Sequence, residues 1–453
     1  MEKEKNVQAF DNFLFPRIFE TFRVAINFKN LIIGLGAITV ICLVGKIMDA
    51  GGTVAATSAG GRTITELHVY LSNPDQVASF IEQNKDSGKS TGVFTTLWRF
   101  AGKKFHAALN ALFKFDLPGV ASNIGEYFRG VGWALKHHSF YCLLFGVIKL
   151  AVITIAGGSI CRIAALRFAR GEKAGLSEVL RYSTSRFLSF FMTPLAPAAI
   201  IIFFGFCIFL LGLIGTVPGF GELITALLMP LVLVAGALIT IVLIGTAAGF
   251  NLMFPAIAYE GSDCFDAISR SFSYVYNKPW RMGFYTAVAG VYGAICYVFV
   301  RFFAFVLLWS SRQSLTLGAR LVAWFVGLFG AESRLLAKFA ILWPEPSFTN
   351  LLGTYDLAAA NWTQSAASIV IYLFLQVIIG LVVAFIISFY FSANTMIYSL
   401  MRNRMDNTAL DEVFTPGEPA ELETAAGEQE PEQTEPGPED EAKPEGESET
   451  AEQ

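Results

Sequence analysis

Charged residues are scarce in this sequence. Asp, Glu, Lys and Arg make up 15% of its 453 residues, hydrophobic residues make up 54%, and the mean hydropathy is +0.52. Soluble domains contain about 25% charged residues. The composition therefore excludes an ordinary soluble protein and predicts a membrane protein.

Motifs for catalysis and metal binding are lacking as well. The chain has no HExxH, GxSxG, P-loop or GxGxxG sequence. Its six cysteines include no CxxC pair, and all four histidines precede Ser139. His137 and His138 are adjacent, and neighbouring side chains on a helix point about 100° apart. We therefore predict no disulfide framework, no metal site, no cofactor and no enzymatic activity.

Six apolar runs are long enough to cross a bilayer, which takes roughly 20 residues. None of these runs contains Asp or Glu. The predicted fold is all-α, a polytopic bundle of about six transmembrane helices with interfacial amphipathic helices. The predicted spans are Leu31–Met48, Ser139–Cys161, Phe187–Leu213, Leu231–Phe250, Gly283–Leu308 and Ser368–Ser392.

Basic residues predict the topology. Sixteen Lys and Arg flank the spans on the side of the N-terminus, against four on the other side when the first long loop is left aside. Because short basic flanks stay in the cytoplasm, both termini are predicted to be cytoplasmic. We expect an amphipathic N-terminal segment (1–30) without a cleaved signal, a membrane domain (31–404) with outer loops at about 49–138 and 312–365, and a tail (405–453).

The tail is strongly acidic. From Met405 onward it carries 17 acidic residues and a single base. Beyond Thr415 it consists mainly of Glu, Pro, Gly and Thr, so it can bury too little apolar surface to offset the entropy lost on ordering. We predict a disordered cytoplasmic tail.

The polar stretch "YEGSDCFDAISRSFSYVYNKPWR" (259–281) connects the fourth and fifth spans and predicts an amphipathic helix. Asp263 can cap its start, and Pro279 can end it. Apolar side chains recur at helical spacing, Arg270 falls on the polar side, and Trp280 suits the headgroup level. The residues predicted to build this connector are Asp263, Phe265, Ile268, Arg270, Phe272 and Trp280.

Two features leave alternatives open. The connector "LSEVLRYSTSRFLSFF" (176–191) repeats the later pattern, which either a duplication or a shared architecture explains. Pro194 and Pro197 interrupt the start of span three. Broken helices line cavities in transporters, whereas prolines near the end of a span are also ordinary entry signals.

The pattern "AYEGSDCFDAISRSFSYV…PWR", together with "TMIYSLMRNRMDNTALDEVF" after the last span, resembles uncharacterised bacterial multi-pass membrane proteins. More distantly, the chain is similar to the membrane domain attached to some glycerophosphodiester phosphodiesterases, in which a Glu-Gly element and an Ala-x-x-Arg/Ser helix also follow a span. This chain has no room for the soluble phosphodiesterase domain. The resemblance therefore implies a multi-pass architecture in the bacterial cytoplasmic membrane and supplies no catalytic residue.

Polar side chains inside the spans are candidate functional positions, because a charge at the bilayer centre costs about 2.5–3.5 kcal/mol on insertion scales. Lys149 lies near the middle of span two, and Gln376 lies in span six. Arg301 lies toward the outer end of span five, from where it is expected to snorkel outward. Without a carboxylate in the spans, Lys149 needs carbonyls, water, Gln376 or an anion such as a lipid phosphate as its partner.

These features predict a non-enzymatic integral membrane protein that organises lipid or protein partners. The alternative is a transporter or channel for a small or amphipathic anionic solute, which a water-filled cavity around Lys149 would favour. The predicted partners are membrane lipids and a membrane protein. Nothing in the sequence predicts a nucleic-acid partner.

Overall fold

Long helices dominate the fold. The computed structural model describes residues 15–59, 62–84, 90–327, 342–348, 350–352 and 362–415. Its helices are, in chain order, α1 (Thr21–Ala25), α2 (Phe28–Met48), α3 (Glu66–Ser72), α4 (Val77–Asn84), α5 (Val93–Phe113), α6 (Leu117–His137), α7 (Ser139–Arg170), α8 (Leu176–Ser185), α9 (Phe187–Met192), α10 (Leu195–Gly215), α11 (Phe220–Leu227), α12 (Met229–Glu260), α13 (Cys264–Asn277), α14 (Pro279–Gly327) and α15 (Trp362–Met405).

Six of these helices, α2, α7, α10, α12, α14 and α15, are long and apolar enough to cross a membrane. The predicted all-α polytopic bundle is therefore confirmed. The described residues up to Val413 form one compact unit, and of the second unit (414–453) only Phe414 and Thr415 are described. Of the predicted tail (405–453), residues 416–453 lie outside the described residues, as do the first 14 residues of the N-terminal segment.

The connections between the spanning helices gather at two ends of the bundle. At the end that we call the connector end, residues 15–27, 171–194, 261–278 and 406–413 meet. A hydrogen bond from Arg186 Nη1 to the Ser262 carbonyl at 3.4 Å joins two of these segments, and Lys278 Nζ donates to the Arg404 carbonyl at the end of α15 at 3.1 Å. The opposite end, called the loop end, carries the long segment 49–138.

Helices α7 and α12 both end on a glycine in the left-handed conformation. The φ angle is +69° at Gly171 and +63° at Gly261, where a residue with a Cβ would be strained. A short amphipathic helix, α8 or α13, then follows. The two connectors therefore share one architecture, while an origin by duplication stays a prediction.

Helix α15 forms the centre of the bundle and packs against α2, α7, α12 and α14. Small residues permit this close approach, because a Cβ added at Gly34 of α2 would lie 3.0 Å from the Ala384 carbonyl oxygen. In the last turns of α15, the side chains from Ala393 to Arg402 are buried without exception. The connector end is thus a packed layer and not a set of loose loops.

The first outer loop contains a small sheet that the sequence does not predict. Strand β1 (Val54–Ala59) lies between β2 (Arg62–Thr65) and β3 (Ser90–Thr91) and is antiparallel to both. Strands of two to six residues carry too short a pattern to be recognised in a sequence. Beside the sheet, α5 and α6 pack against each other.

The described residues from Val54 to His137 are called the loop-end domain, and Asp49 anchors this domain to the membrane bundle. Its carboxylate accepts hydrogen bonds from the N–H groups of Phe94 and Thr95 at 3.0 and 2.8 Å and from the Tyr141 hydroxyl at 2.8 Å. Because α5 begins at Val93, the carboxylate occupies the free N–H groups of its first turn. One side chain therefore links α2, α5 and α7.

The structure moves two predicted boundaries. Helix α14 continues unbroken past Leu308 to Gly327, so the loop boundary placed at residue 312 falls inside a helix. No proline interrupts this stretch, and a single glycine is tolerated within a helix. At span three, Pro194 separates α9 from α10, so the spanning helix begins at Leu195 and not at Phe187.

Candidate functional site

The connector between the fourth and fifth spanning helices is the predicted amphipathic helix, α13. Asp263 is its N-cap, and Asp263 Oδ1 accepts a hydrogen bond from the Asp266 N–H at 2.9 Å. This cap satisfies one of the free N–H groups of the first turn. The buried face consists of Ala267, Ile268, Ser271, Tyr274 and Val275.

Phe265 lies outside this buried face, contrary to the sequence prediction, because it is 64% exposed. Phe272 is half-buried, and its ring packs over Gly245 of α12. The face is rotated relative to the prediction because Ser271, a small residue, lies directly against Gly249 of α12. Trp280 is 89% exposed, and its place at the headgroup level stays a prediction.

Arg270 of α13 joins a group of carboxylates. Its Nε donates to both carboxylate oxygens of Asp266 at 3.2 Å. Its Nη1 lies 3.8 Å from Glu260 Oε1 and 4.0 Å from Asp406 Oδ2. Burial opposes its charge, but the carboxylates of Glu260 and Asp266 raise the pKa of Arg270 above its usual value.

Arg402 of α15 approaches one of these carboxylates, that of Glu260. Its Nε lies 2.7 Å from Glu260 Oε1, and the Tyr398 hydroxyl donates to that oxygen at 3.1 Å. Arg402 Nη1 also donates to the Glu412 carbonyl at 2.6 Å, which folds the chain after α15 back onto the bundle. We call Glu260, Asp266, Arg270, Arg402 and Asp406 the acid–arginine cluster.

Tyr274 completes the cluster as a neutral donor. Its hydroxyl donates to Asp406 Oδ2 at 2.5 Å. Burial, this hydrogen bond and the charge of Asp406 raise the pKa of Tyr274 above its usual value. Because arginine and tyrosine donors already occupy the carboxylates, the cluster suits a structural clamp better than proton transfer.

A further buried arginine closes the end of α12. Arg162 is 3% exposed, and its Nη1 donates to the Ala258 carbonyl at 2.9 Å. Its guanidinium lies 4.6 Å from the centre of the Tyr182 ring, whose hydroxyl donates to the Ile257 carbonyl at 2.7 Å. The last carbonyls of a helix need such outside partners. In the sequence, Arg162 contributes only to the count of basic residues that predicts the topology.

The structure does not bring Lys149 and Gln376 together. Lys149 is exposed on α7 and makes no hydrogen bond or ion pair with the residues that the structure describes. Gln376 Nε2 donates to the hydroxyl of Tyr372, one turn earlier in α15, at 2.6 Å. Neither side chain contributes to the acid–arginine cluster.

Arg301 does not snorkel, contrary to the expectation. It is 8% exposed, its Nε donates to the Phe348 carbonyl at 2.9 Å, and its Nη1 donates to the Tyr297 hydroxyl at 3.0 Å. The sequence could not show this arrangement because Phe348 lies in a distant loop segment. Arg301 therefore fastens the loop end to α14.

One histidine meets a carboxylate that is remote in the sequence. His138 Nε2 lies 3.2 Å from Glu66 Oε2, and Glu66 is buried in the loop-end domain. Glu66 also accepts a hydrogen bond from the Ala55 N–H. Among the described residues, no three His, Cys, Asp or Glu side chains are grouped so that they could hold a metal ion.

A pocket of about 480 Å³ opens at the connector end, between the start of α2 and the end of α7. Four of its nine lining residues are basic and one, Glu172, is acidic. The basic residues are Arg23, Lys29, Arg167 and Lys173. The composition of this wall favours an anionic ligand.

The chain matches no protein-family model, no curated protein and no solved structure. The fold and the site define the class as a multi-pass helical membrane protein with a packed layer of charged and aromatic residues at one end. The resemblance to uncharacterised bacterial membrane proteins stays a prediction.

Proposed function

We propose that this protein is a non-enzymatic integral membrane protein that organises lipid or protein partners in the membrane. The surface of α10 is the observation that supports this function. Of the 21 residues of this helix, only Pro197 is buried. Side chains such as Ile202, Phe203 and Phe206 are 69%, 62% and 55% exposed. A helix that is apolar on every side needs lipid tails or another protein around it.

The first half of α12 extends this surface. Leu231, Leu233 and Val234 are 59%, 62% and 58% exposed, and α10 packs mainly on α12 and α11. Together α10, α11 and the first half of α12 form a hairpin (195–244) that touches the other spanning helices little. It offers a broad apolar surface to partners within the bilayer.

The other helices of the bundle hold the hairpin in a fixed position. The acid–arginine cluster joins α12, α13 and α15, and Arg162 joins α7 to the end of α12. Paired charges of this kind, with Glu260 and Arg402 largely buried, fix the relative positions of helices. A bundle with fixed helix positions and an exposed apolar hairpin suits a protein that positions its partners in the membrane. We place it in the bacterial cytoplasmic membrane with the connector end in the cytoplasm.

Photo-crosslinking in native membranes tests the contact surface. A photoreactive amino acid at Phe206 should form adducts with phospholipid or with one discrete membrane protein. The same amino acid at Phe385, which is 1% exposed, is the matched control and should form none. If Phe206 gives no more adducts than Phe385, the chain itself covers the hairpin and the proposal fails.

A second measurement tests the proposal that the protein is not an enzyme. The lipids that copurify with the intact protein are analysed by mass spectrometry before and after incubation in detergent. We expect the same lipid species at both times. A new lipid product that depends on the protein would show that it is an enzyme.

A further inference from the structure

The charges around the basic pocket are largely unneutralised. Arg23, Arg167 and Lys173 make no hydrogen bond or ion pair within the part of the chain that the structure describes. Lys29 Nζ donates to the Ala174 carbonyl at 2.5 Å, a neutral acceptor that leaves its charge uncompensated. Four positive charges against the single carboxylate of Glu172 leave the pocket wall positively charged, which attracts an anion.

The start of α2 adds to this attraction. Asn27, another lining residue, is the N-cap of α2, and its side chain accepts a hydrogen bond from the Lys29 N–H at 3.2 Å. The N-terminal end of a helix carries a partial positive charge and suits phosphate groups. Here it acts together with the four basic side chains and not alone.

The pocket lies where a spanning helix enters the bilayer. Helix α2 begins at Phe28, and Phe28 and Ile26 are 74% and 46% exposed beside the pocket. Lipid headgroups lie at the ends of the apolar stretch, and acyl chains lie beside it. The charged group of an anionic lipid would therefore contact the basic residues of the pocket. Its acyl chains would contact Ile26 and Phe28.

We propose that this pocket binds the phosphate group of an anionic phospholipid in the leaflet at the connector end. Arg23 and Arg167 contact the phosphate from the two walls, Lys29 and Lys173 complete its surroundings, and the acyl chains follow Ile26 and Phe28 into the bilayer. This lipid is one of the partners in the function proposed above. The assignment rests on that function only because it takes lipids as partners. A volume of about 480 Å³ accommodates a glycerophosphate headgroup.

The test uses the full-length protein in nanodiscs that contain phosphatidylcholine with a small fraction of phosphatidylglycerol. Native mass spectrometry measures how much phosphatidylglycerol the ejected protein retains. The variant is Arg23→Gln/Arg167→Gln. The control is Arg181→Gln/Arg281→Gln, which removes the same charge from two exposed arginines near the connector end but outside the pocket.

We expect the affinity for phosphatidylglycerol to fall about 30-fold in the pocket variant, since each basic residue near an anionic surface contributes roughly fivefold. In the control variant, the affinity for phosphatidylglycerol should change less than about threefold. Equal losses in both variants would show that general charge attraction, and not the pocket, retains the lipid. An unchanged affinity in the pocket variant would also overturn the assignment.

Soluble phosphates distinguish the two sources of the anion. Inorganic phosphate and glycerol 3-phosphate are added to the same nanodiscs at millimolar concentration. The lipid assignment expects weak competition, because these ions lack the acyl chains. Tight binding of either ion with no retained phosphatidylglycerol would make the pocket a site for a soluble phosphate. Adducts at Phe206 would still support the proposed function in that case, so the two failures are distinguishable.

Discussion

The Nε atom of Arg402 lies 2.7 Å from Oε1 of Glu260, and the two side chains are 8% and 14% exposed. The contact is an ion pair without the alignment of a hydrogen bond. Tyr398 donates to the same carboxylate oxygen, and Arg270 lies 3.8 Å from it. Glu260 thus lies close to both arginines at the junction of α12, α13 and α15.

Glu260→Gln should destabilise the protein strongly. The substitution leaves the buried Arg402 with only the more exposed carboxylate of Glu412, which lies 3.7 Å from its Nη2, as an opposite charge. Removing one partner of a buried ion pair costs about 3–5 kcal/mol, and we expect a loss toward the lower end of that range. The melting temperature in detergent is the measurement. Glu126→Gln is the matched control, because it breaks the more exposed Lys104–Glu126 pair at the loop end, where about 0–1 kcal/mol is expected. Similar losses in both variants would contradict the assigned role of Glu260.

Gly34→Val should loosen the contact between α2 and α15. A Cβ at this position would lie 3.0 Å from the Ala384 carbonyl oxygen, and backbone atoms there cannot move aside easily. Overpacking of this kind costs about 1–3 kcal/mol. Gly36→Val, in the same helix with no atom within 4 Å of the added Cβ, should change the melting temperature much less. Equal shifts would mean that helix propensity alone explains both.

Phe272→Asp should lower stability, whereas Ser273→Asp should be nearly silent. The Phe272 ring packs over Gly245, and its replacement by a carboxylate removes apolar contact and places a charge against α12. We expect a loss of about 2 kcal/mol. Ser273 is exposed and points about 100° away from Phe272 around α13. Thermal unfolding of both variants in one detergent is the measurement, and equal effects would show that α13 does not hold the bundle together.

Tyr274→Phe should reduce the loss of stability at alkaline pH. An unfolded chain releases the tyrosine proton near pH 10, whereas burial and Asp406 raise the pKa of Tyr274 in the folded protein. The folded state therefore keeps its proton longer, so this stability is complete below about pH 10 and falls as the pH rises above it. Melting temperatures at about pH 8 and pH 11 should differ more for the wild type than for Tyr274→Phe. The same difference in both proteins would exclude Tyr274 as the cause.

The predicted topology can be tested by cysteine labelling in a background without the native cysteines. Asp75→Cys lies exposed at the loop end, and Ser177→Cys lies exposed at the connector end. Because basic flanks remain in the cytoplasm, a membrane-impermeant maleimide should label intact cells only at position 75. Position 177 should react only after permeabilisation. The reverse pattern would invert the proposed orientation.

The connector shows how far sequence reasoning reaches at this site. The helix, its Asp263 cap and the polar position of Arg270 could be predicted, because capping and helical periodicity depend on residues a few positions apart. The buried face could not be predicted correctly at Phe265. In a bundle, small residues such as Ser271 can form the tight contact while a large apolar residue faces outward.

The sequence by itself determined the membrane class, the six spans and the amphipathic connector, because apolar length and periodicity are local properties of the chain. Only the tertiary structure decided which charges meet. Arg402 and Arg162 look like ordinary flanking bases in the sequence, yet one binds Glu260 and the other caps the end of α12. Lys149, the most conspicuous charge in the sequence, is exposed on α7. These pairings depend on which helix ends pack together, and no local pattern records that.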